Sequence, residues 1–408
     1  MEYSLMHKNV LVADLDLDNE TGHILKIIKI FNVQHFPVGI VDKNGIADRV
    51  ALNDWWVDRS IPASRSGVKK ALEILNISNP KILLTKCFGL SLSDQYWIKP
   101  QNQDISWENV NFFDNEFSED IGDVLWGKQL NKDDVNYHSP DNTSDGCLKK
   151  RWKIVNGKRC LLKSGSTPFM QQPFNEVIAS IIMERLNIPH VSYSVIFDEN
   201  GQPYSVCEDF ITGNTELVSA WRVIQANKKR SDISVYQHYI NCCELYGVKN
   251  IVHAIDQMIV VDYIIANEDR HQNNFGLVRD ANTLDWLYPA PIYDSGSSLG
   301  YDKLTNQILS GKTIECKPFK KTHEEQLNLV TSFDWIDFGA LKGIDKDIKE
   351  VFANAGEYID ENRVNAIVSS LESRIEYLQG IAISNRQTID NIDDDVNEDV
   401  AEDYTFSM

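Results

Sequence analysis

Residues 262–294 read DYIIANEDRHQNNFGLVRDANTLDWLYPAPIYD. Asp269 and Asn274 stand five positions apart in a polar stretch that reads as a loop, and Asp294 follows twenty residues after Asn274. Upstream, VVDYIIAN (260–267) is apolar with a helical pattern; downstream, NFGLV and LDWLY read as two short strands around the turn-rich RDAN. An acid, an amide and a second acid therefore stand at the end of a helix and the ends of strands. That set suits one kind of chemistry. One carboxylate can orient or deprotonate a hydroxyl, while the amide and the other carboxylate hold Mg²⁺ on nucleotide phosphates. The Asp-x4-Asn spacing equals that of the protein-kinase catalytic loop.

The stretch before it supplies the rest of such a site in order. HSPDNTSDGCLKKRWKIV (138–155) is a polar loop leading into a strand, and Asn156-Gly157 is a strong two-residue hairpin signal. The returning strand, KRCLLK, ends at Lys163. QQPFNEVIASIIMERLNIPH (171–190) is a helix with Val177, Ile178, Ile181, Ile182 and Leu186 on one face and Pro189 past its end. VSYSVIF and PYSVCEDF form a second hairpin around DENGQ. This is the order of a kinase small lobe. Lys163 can reach the α and β phosphates, and Glu176, in the first turn of the helix, can hold its ammonium in place. Ser144, Asp145 and Gly146 belong to the loop expected to cover the phosphates with backbone N–H groups, although Gly146 is its one glycine. Glu208, Asp209 and Phe210 would form the hinge against the adenine. ELVSAWRVIQ, VYQHYINCCELYG and NIVHAIDQMIVVDYIIAN read as helices of a large lobe, followed after Asp294 by a flexible, hydroxyl-rich and partly basic segment.

Before this lies a separate module, residues 1–135. KNVLVADLDLD and HILKIIKIF read as a strand pair, and RVALNDWWVDR and SGVKKALEIL as helices, the second capped by Ser64 or Ser66. Trp55 and Trp56 read as core, and NQDISWENVNFFDNEF as a packing strap or a binding edge. The expected architecture is α+β. A bilobal protein-kinase-like fold spans a small lobe of antiparallel sheet plus helix (136–210) and a mostly helical large lobe (211–385). The N-terminal α+β module precedes it, and a disordered acidic tail (386–408) follows.

The 408 residues carry a net charge of −20. Eight acidic and no basic residues lie from Thr388 to Met408, so the remainder still carries −12. Such a field repels phosphate backbones and argues against nucleic acid or an anionic membrane as the main partner. No apolar run is long enough to span a bilayer, and the first residues do not read as a secretory signal. Seven cysteines without a C-x-x-C pair fit a reducing, cytoplasmic setting.

DRHQNNFG followed by PIYD, with FNEVIASIIMERLNIP upstream, resembles the HipA-like serine/threonine kinases of bacteria, including the HipA toxin kinases and shorter stand-alone relatives. The resemblance covers roughly residues 140–380. It implies ATP and Mg²⁺ as cofactors and a protein Ser/Thr hydroxyl as acceptor, including one of the chain's own (Ser139, Thr143 or Ser144). It also implies Asp269 as catalytic base, Asn274 and Asp294 as Mg²⁺ ligands, Lys163 as the ATP-phosphate lysine and Glu176 as its partner. LNDWWVDRSIPASR does not resemble the toxin's usual N-terminal domain. DRHQNN also resembles the DRHxxN loop of phosphoinositide kinases, in which His271 would share the base role toward a lipid headgroup or small alcohol; otherwise its ring braces the loop near Asp294. A nucleotide-binding scaffold without turnover is the remaining alternative.

Overall fold

The computed structural model describes residues 2–131, 133–310 and 314–405, with side chains described up to residue 384. The described residues build three antiparallel sheets, each packed by helices. In the first, β1 (Glu2–His7), β2 (Val10–Leu17), β3 (Ile24–Ile30) and β4 (Tyr96–Pro100) lie in the order β3-β2-β1-β4. β2 and β3 pair as the alternation of their apolar residues predicts. β1 and the distant β4 carry too little periodic signal to be read beforehand. Around this sheet stand α1 (Arg49–Asp58), α2 (Val68–Leu75), α3 (Pro80–Lys86), α4 (Trp107–Val110) and α5 (Asp120–Trp126). Trp55 and Trp56 are core, the latter with its indole N–H on the Gly22 carbonyl at 2.9 Å. Trp107 and Phe112 are buried against Trp97, so the aromatic strap is a packing element.

α2 does not start from a serine cap. Gly67 precedes it at φ +89°, with the Leu125 carbonyl oxygen 2.7 Å from where a Cβ would stand, and Ser66 donates its N–H to the Cys147 carbonyl. Only glycine meets both demands.

In the second sheet, β5 (Lys150–Val155), β6 (Lys158–Ser164), β7 (Tyr193–Phe197) and β8 (Pro203–Glu208) run in the order β5-β6-β8-β7. Asn156 and Gly157 turn the first hairpin at φ +52° and +78°, as a type I′ turn requires. α6 (Gln172–Arg185) packs on this sheet, burying Phe174, Ile178 and Ile182, and buries its polar Asn175, Glu176 and Ser180 as well.

The third sheet, β9 (Thr215–Ser219), β10 (Gly276–Asp280) and β11 (Trp286–Pro289), has the order β11-β10-β9. ELVSAWRVIQ, expected as one helix, divides into β9 and the short α7 (Ala220–Gln225). Glu216 explains the division. It is buried in the sheet with Arg279 of β10 as its ion-pair partner, and His7 of β1 lies 3.1 Å from its other oxygen. Arg279 also donates to the Tyr96 hydroxyl at 3.0 Å, so the first and third sheets meet through one buried polar network. β10 can lie against β9 because Gly276 has no side chain: the Val218 carbonyl oxygen sits 2.2 Å from the position of its missing Cβ.

The remaining helices are α8 (Val235–Leu245), α9 (Ile251–Ile264), α10 (Thr305–Ile308), α11 (His323–Leu327), α12 (Ile344–Ala353) and α13 (Glu361–Thr405). α9 is buried along most of its length at the centre of the largest core. The backbone of α13 runs on to Thr405, through the acidic stretch from residue 386, which has no glycine or proline to stop it. The side chains of that stretch, and residues 406–408, lie outside the described residues.

Candidate active site

Lys163 stands one residue before the end of β6, and α6 begins close enough to place Glu176 beneath it. The Lys163 ammonium lies 3.1 Å from Glu176 Oε1 and 2.8 Å from Asp294 Oδ1, with the Tyr193 hydroxyl at 3.5 Å. Burial opposes the charge on Lys163, but the Asp294 and Glu176 carboxylates outweigh it and hold its pKa well above the usual lysine value. Burial would also raise Asp294, yet the ammoniums of Lys163 and Lys150 keep it well below the ordinary carboxylate range. Glu176 is pushed up by burial and pulled back by Lys163, and its Oε2 accepts the Ser295 N–H at 2.8 Å. Asp294 adopts φ +57°, a conformation Asp tolerates better than most residues.

The loop after α9 is set by a buried pair absent from the sequence reading. Arg270, wholly buried, donates to Asp262 at 2.9 Å, to the Asn274 carbonyl at 3.0 Å, to the Tyr293 carbonyl and to the Ser295 hydroxyl at 2.9 Å. One guanidinium thus fixes the Asp269–Asn274 loop to the Tyr293–Ser295 segment. Asp262 was the available signal, because a buried acid in an apolar helix needs a partner; Asp256 of the same helix finds its own in Thr331. Asn274 donates its side-chain N–H to the Asp269 carbonyl at 3.0 Å, which leaves the amide oxygen for a cation. His271 Nδ1 accepts the Asn273 N–H at 3.2 Å, so its ring braces its own loop and not the surroundings of Asp294. Asp269 is half-exposed, and Oδ1 meets the ammonium of Lys317 at 2.6 Å.

A cleft of about 750 Å³ brings Lys163, Asp294, Asn274 and His271 together with Ser144, Asp145 and Gly146. It also contains Lys150 and Lys317, the latter opening the KPFKKTHEEQL segment that resembles one in the stand-alone relatives; the sequence reading gave neither lysine a role. Lys150 pairs directly opposite Lys163 across the hairpin, and burial pushes it down to about 8. The loop at Ser144 is anchored from outside. Arg65 donates to the Ser144 hydroxyl at 2.7 Å, to the Ser144 carbonyl and to the Gly146 carbonyl at 2.8 Å, while Ser144 itself is buried. Glu208, Asp209 and Phe210 are not among the residues lining the cleft. Glu208 pairs with Lys158 at 2.6 Å on the surface, Asp209 is buried and raised to about 8, and the Phe210 ring lies 5.6 Å from that of Tyr293, which does line it. Ser295 and Ser298, at the start of the segment expected to be flexible, are buried and bonded.

No group of three or more His, Cys, Asp or Glu suited to a metal occurs among the described residues. The donor set of Asp294 and the Asn274 amide suits Mg²⁺, which takes few protein oxygens and completes its shell with phosphates and water.

Mixed α+β architecture with this distribution of sheets and helices is consistent with a kinase-like fold of the HipA kind. A chain of the Shewanella oneidensis MR-1 toxin–antitoxin system, solved as HipA, HipB and operator DNA, matches with a TM-score of 0.52 at 13% identity, over 93% of this chain and 99% of that chain. The Helicobacter pylori proinflammatory kinase CtkA matches with a TM-score of 0.45 at 18% identity, over 58% of this chain and 95% of that chain. No family model and no curated protein matches the sequence. The likeness is therefore one of fold. Coverage of 93% takes in most of residues 1–135 too, so the segment whose sequence looked unlike the toxin's N-terminal domain shares in the structural match. No helix among the described residues is long and apolar enough to cross a membrane.

Proposed function

We propose that the chain is an ATP- and Mg²⁺-dependent phosphotransferase of the HipA-like type, acting on a Ser/Thr hydroxyl of a protein, its own included. The observation that carries this reading is the position of Lys163, held between Glu176 and Asp294 at 3.1 and 2.8 Å on the wall of a cleft that also contains Asn274. In this reading the small lobe is residues 136–210 and the large lobe 211–385, with ATP between them. Lys163 binds the α and β phosphates, and Glu176 fixes its ammonium. Asn274 and Asp294 hold Mg²⁺, which when bound neutralises charge on the β and γ phosphates. Asp269 orients the acceptor hydroxyl and takes its proton. Glu208–Phe210, expected as the adenine hinge, lie outside the cleft lining, and the Asp209 N–H is taken by the Arg159 carbonyl, so this reading gives them no adenine contact. The lipid-headgroup reading has less support, since one ring nitrogen of His271 is engaged by the Asn273 N–H.

Incubation of the full chain with labelled ATP and Mg²⁺ tests the proposal. Incorporation into protein is expected, and its persistence in both Asp269→Asn and Asp294→Asn would defeat it. ATP binding without any transfer would favour a scaffold.

A further inference from the structure

Lys317 enters the cleft from the stretch between α10 and α11, far from Lys163 in sequence. Its ammonium stands 2.6 Å from Asp269 Oδ1, and 55% of its side chain is exposed. The backbone beneath it is fastened: Gln326, buried, donates to the Lys317 carbonyl at 2.6 Å, and the Cys316 N–H meets the Lys321 carbonyl at 2.8 Å. A half-exposed ion pair of this kind adds only ~0–1 kcal/mol to stability. The fold therefore gains little from a lysine pinned at this place.

We infer that Lys317 is a further catalytic residue, binding the γ-phosphoryl group of ATP beside Asp269. The inference rests on the phosphotransferase reading. The two other lysines of the cleft are committed to its sheet side. Lys163 is shared by two carboxylates, and the Lys150 ammonium lies 2.6 Å from where a Cβ of Gly146 would stand. Lys317 is the cleft-lining ammonium, among the described residues, that meets Asp269. A carboxylate base next to a phosphoryl group repels it, and transfer spreads negative charge over the equatorial oxygens. A flexible ammonium in contact with the base can span both groups. In the transfer, the acceptor oxygen bonds to the γ-phosphorus as its proton passes to Asp269. The bond from the γ-phosphorus to the bridging oxygen breaks, and the electron pair leaves with ADP. Lys317 keeps all its protons throughout.

The test measures MgATP and MgADP binding, and phosphoryl transfer, on the full chain and on Lys317→Met and Lys317→Arg. Lys317→Met is expected to weaken MgATP roughly tenfold while MgADP changes by less than about twofold. Transfer should slow by about a hundredfold, and Lys317→Arg should restore much of the MgATP affinity. Equal effects on both nucleotides, no effect, or faster transfer in Lys317→Met (a lysine that blocks the base) would overturn the inference while leaving the phosphotransferase reading intact. A parent chain that binds neither nucleotide would overturn both.

Discussion

Arg65 reaches from the stretch just before α2 to Ser144 in the loop that leads into β5, donating to its hydroxyl at 2.7 Å and also to its carbonyl. The loop expected to cover the phosphates is thereby shaped by a residue about eighty positions before it in the sequence. Gly146 is its one glycine, at φ +94°, and an arginine clamp holds the backbone on either side of Asp145. Arg65→Ala strips three acceptors of their donor. MgATP affinity is expected to fall roughly tenfold and the melting temperature by a few degrees, at about 2–4 °C per kcal/mol for a domain of this size. Nucleotide titration and thermal melts check it, and unchanged affinity in a destabilised variant would confine Arg65 to packing.

Lys150 is expected to make nucleotide binding pH-dependent. Burial pushes its ammonium down to about 8, against the pull of Asp294. Below that value it is charged and can pair with phosphate; above it the pairing is lost, so affinity falls as pH rises through about 8. In the free chain the sign is the reverse for stability. Between about 8 and 10.5 the unfolded state holds this proton more tightly, so this group adds stability as pH rises. Lys150→Arg, charged throughout, should flatten the affinity profile between about pH 7 and 9. Titrations across that range would show it.

Asp262 and Arg270 form a fully buried pair beneath the Asp269–Asn274 loop. Asp262→Ala leaves a guanidinium without its carboxylate and is expected to cost about 3–5 kcal/mol, measured by denaturant unfolding. A loss below about 1 kcal/mol would mean that the carbonyls of Asn274 and Tyr293 satisfy Arg270 unaided.

Glu176→Gln keeps an acceptor for the Ser295 N–H but removes a charge from Lys163. Transfer is expected to fall roughly a hundredfold with MgATP binding less affected, because the loss is one of alignment and charge at the phosphates. Initial rates against ATP concentration separate the two effects.

Much of this geometry could be read from local signals. The Asn156-Gly157 turn sets Val155 opposite Lys158, and the same register places Lys150 opposite Lys163, so the second lysine was implicit in the hairpin. Asn274 and Asp294 line one cleft, and Asp269, outside its lining, meets it through Lys317. Other features have no local signature. Lys317 meets Asp269, and Arg65 the Ser144–Gly146 loop, through tertiary contacts with residues far away in sequence. Glu216 reads as helical until Arg279 and His7 draw it into a strand, a case of tertiary partners overriding propensity.

The contact between His7 and Glu216 also bears on how the polypeptide is made. The histidine leaves the ribosome more than two hundred residues ahead of the glutamate it faces, and Arg279 comes later still. During synthesis β1 and β4 can pair, yet the face that will receive β9 must stay wet until the middle of the chain arrives. Docking of the nascent first sheet is thus a late event, and a ribosome stalled before residue 216 would present Tyr96 and His7 to solvent or to a chaperone.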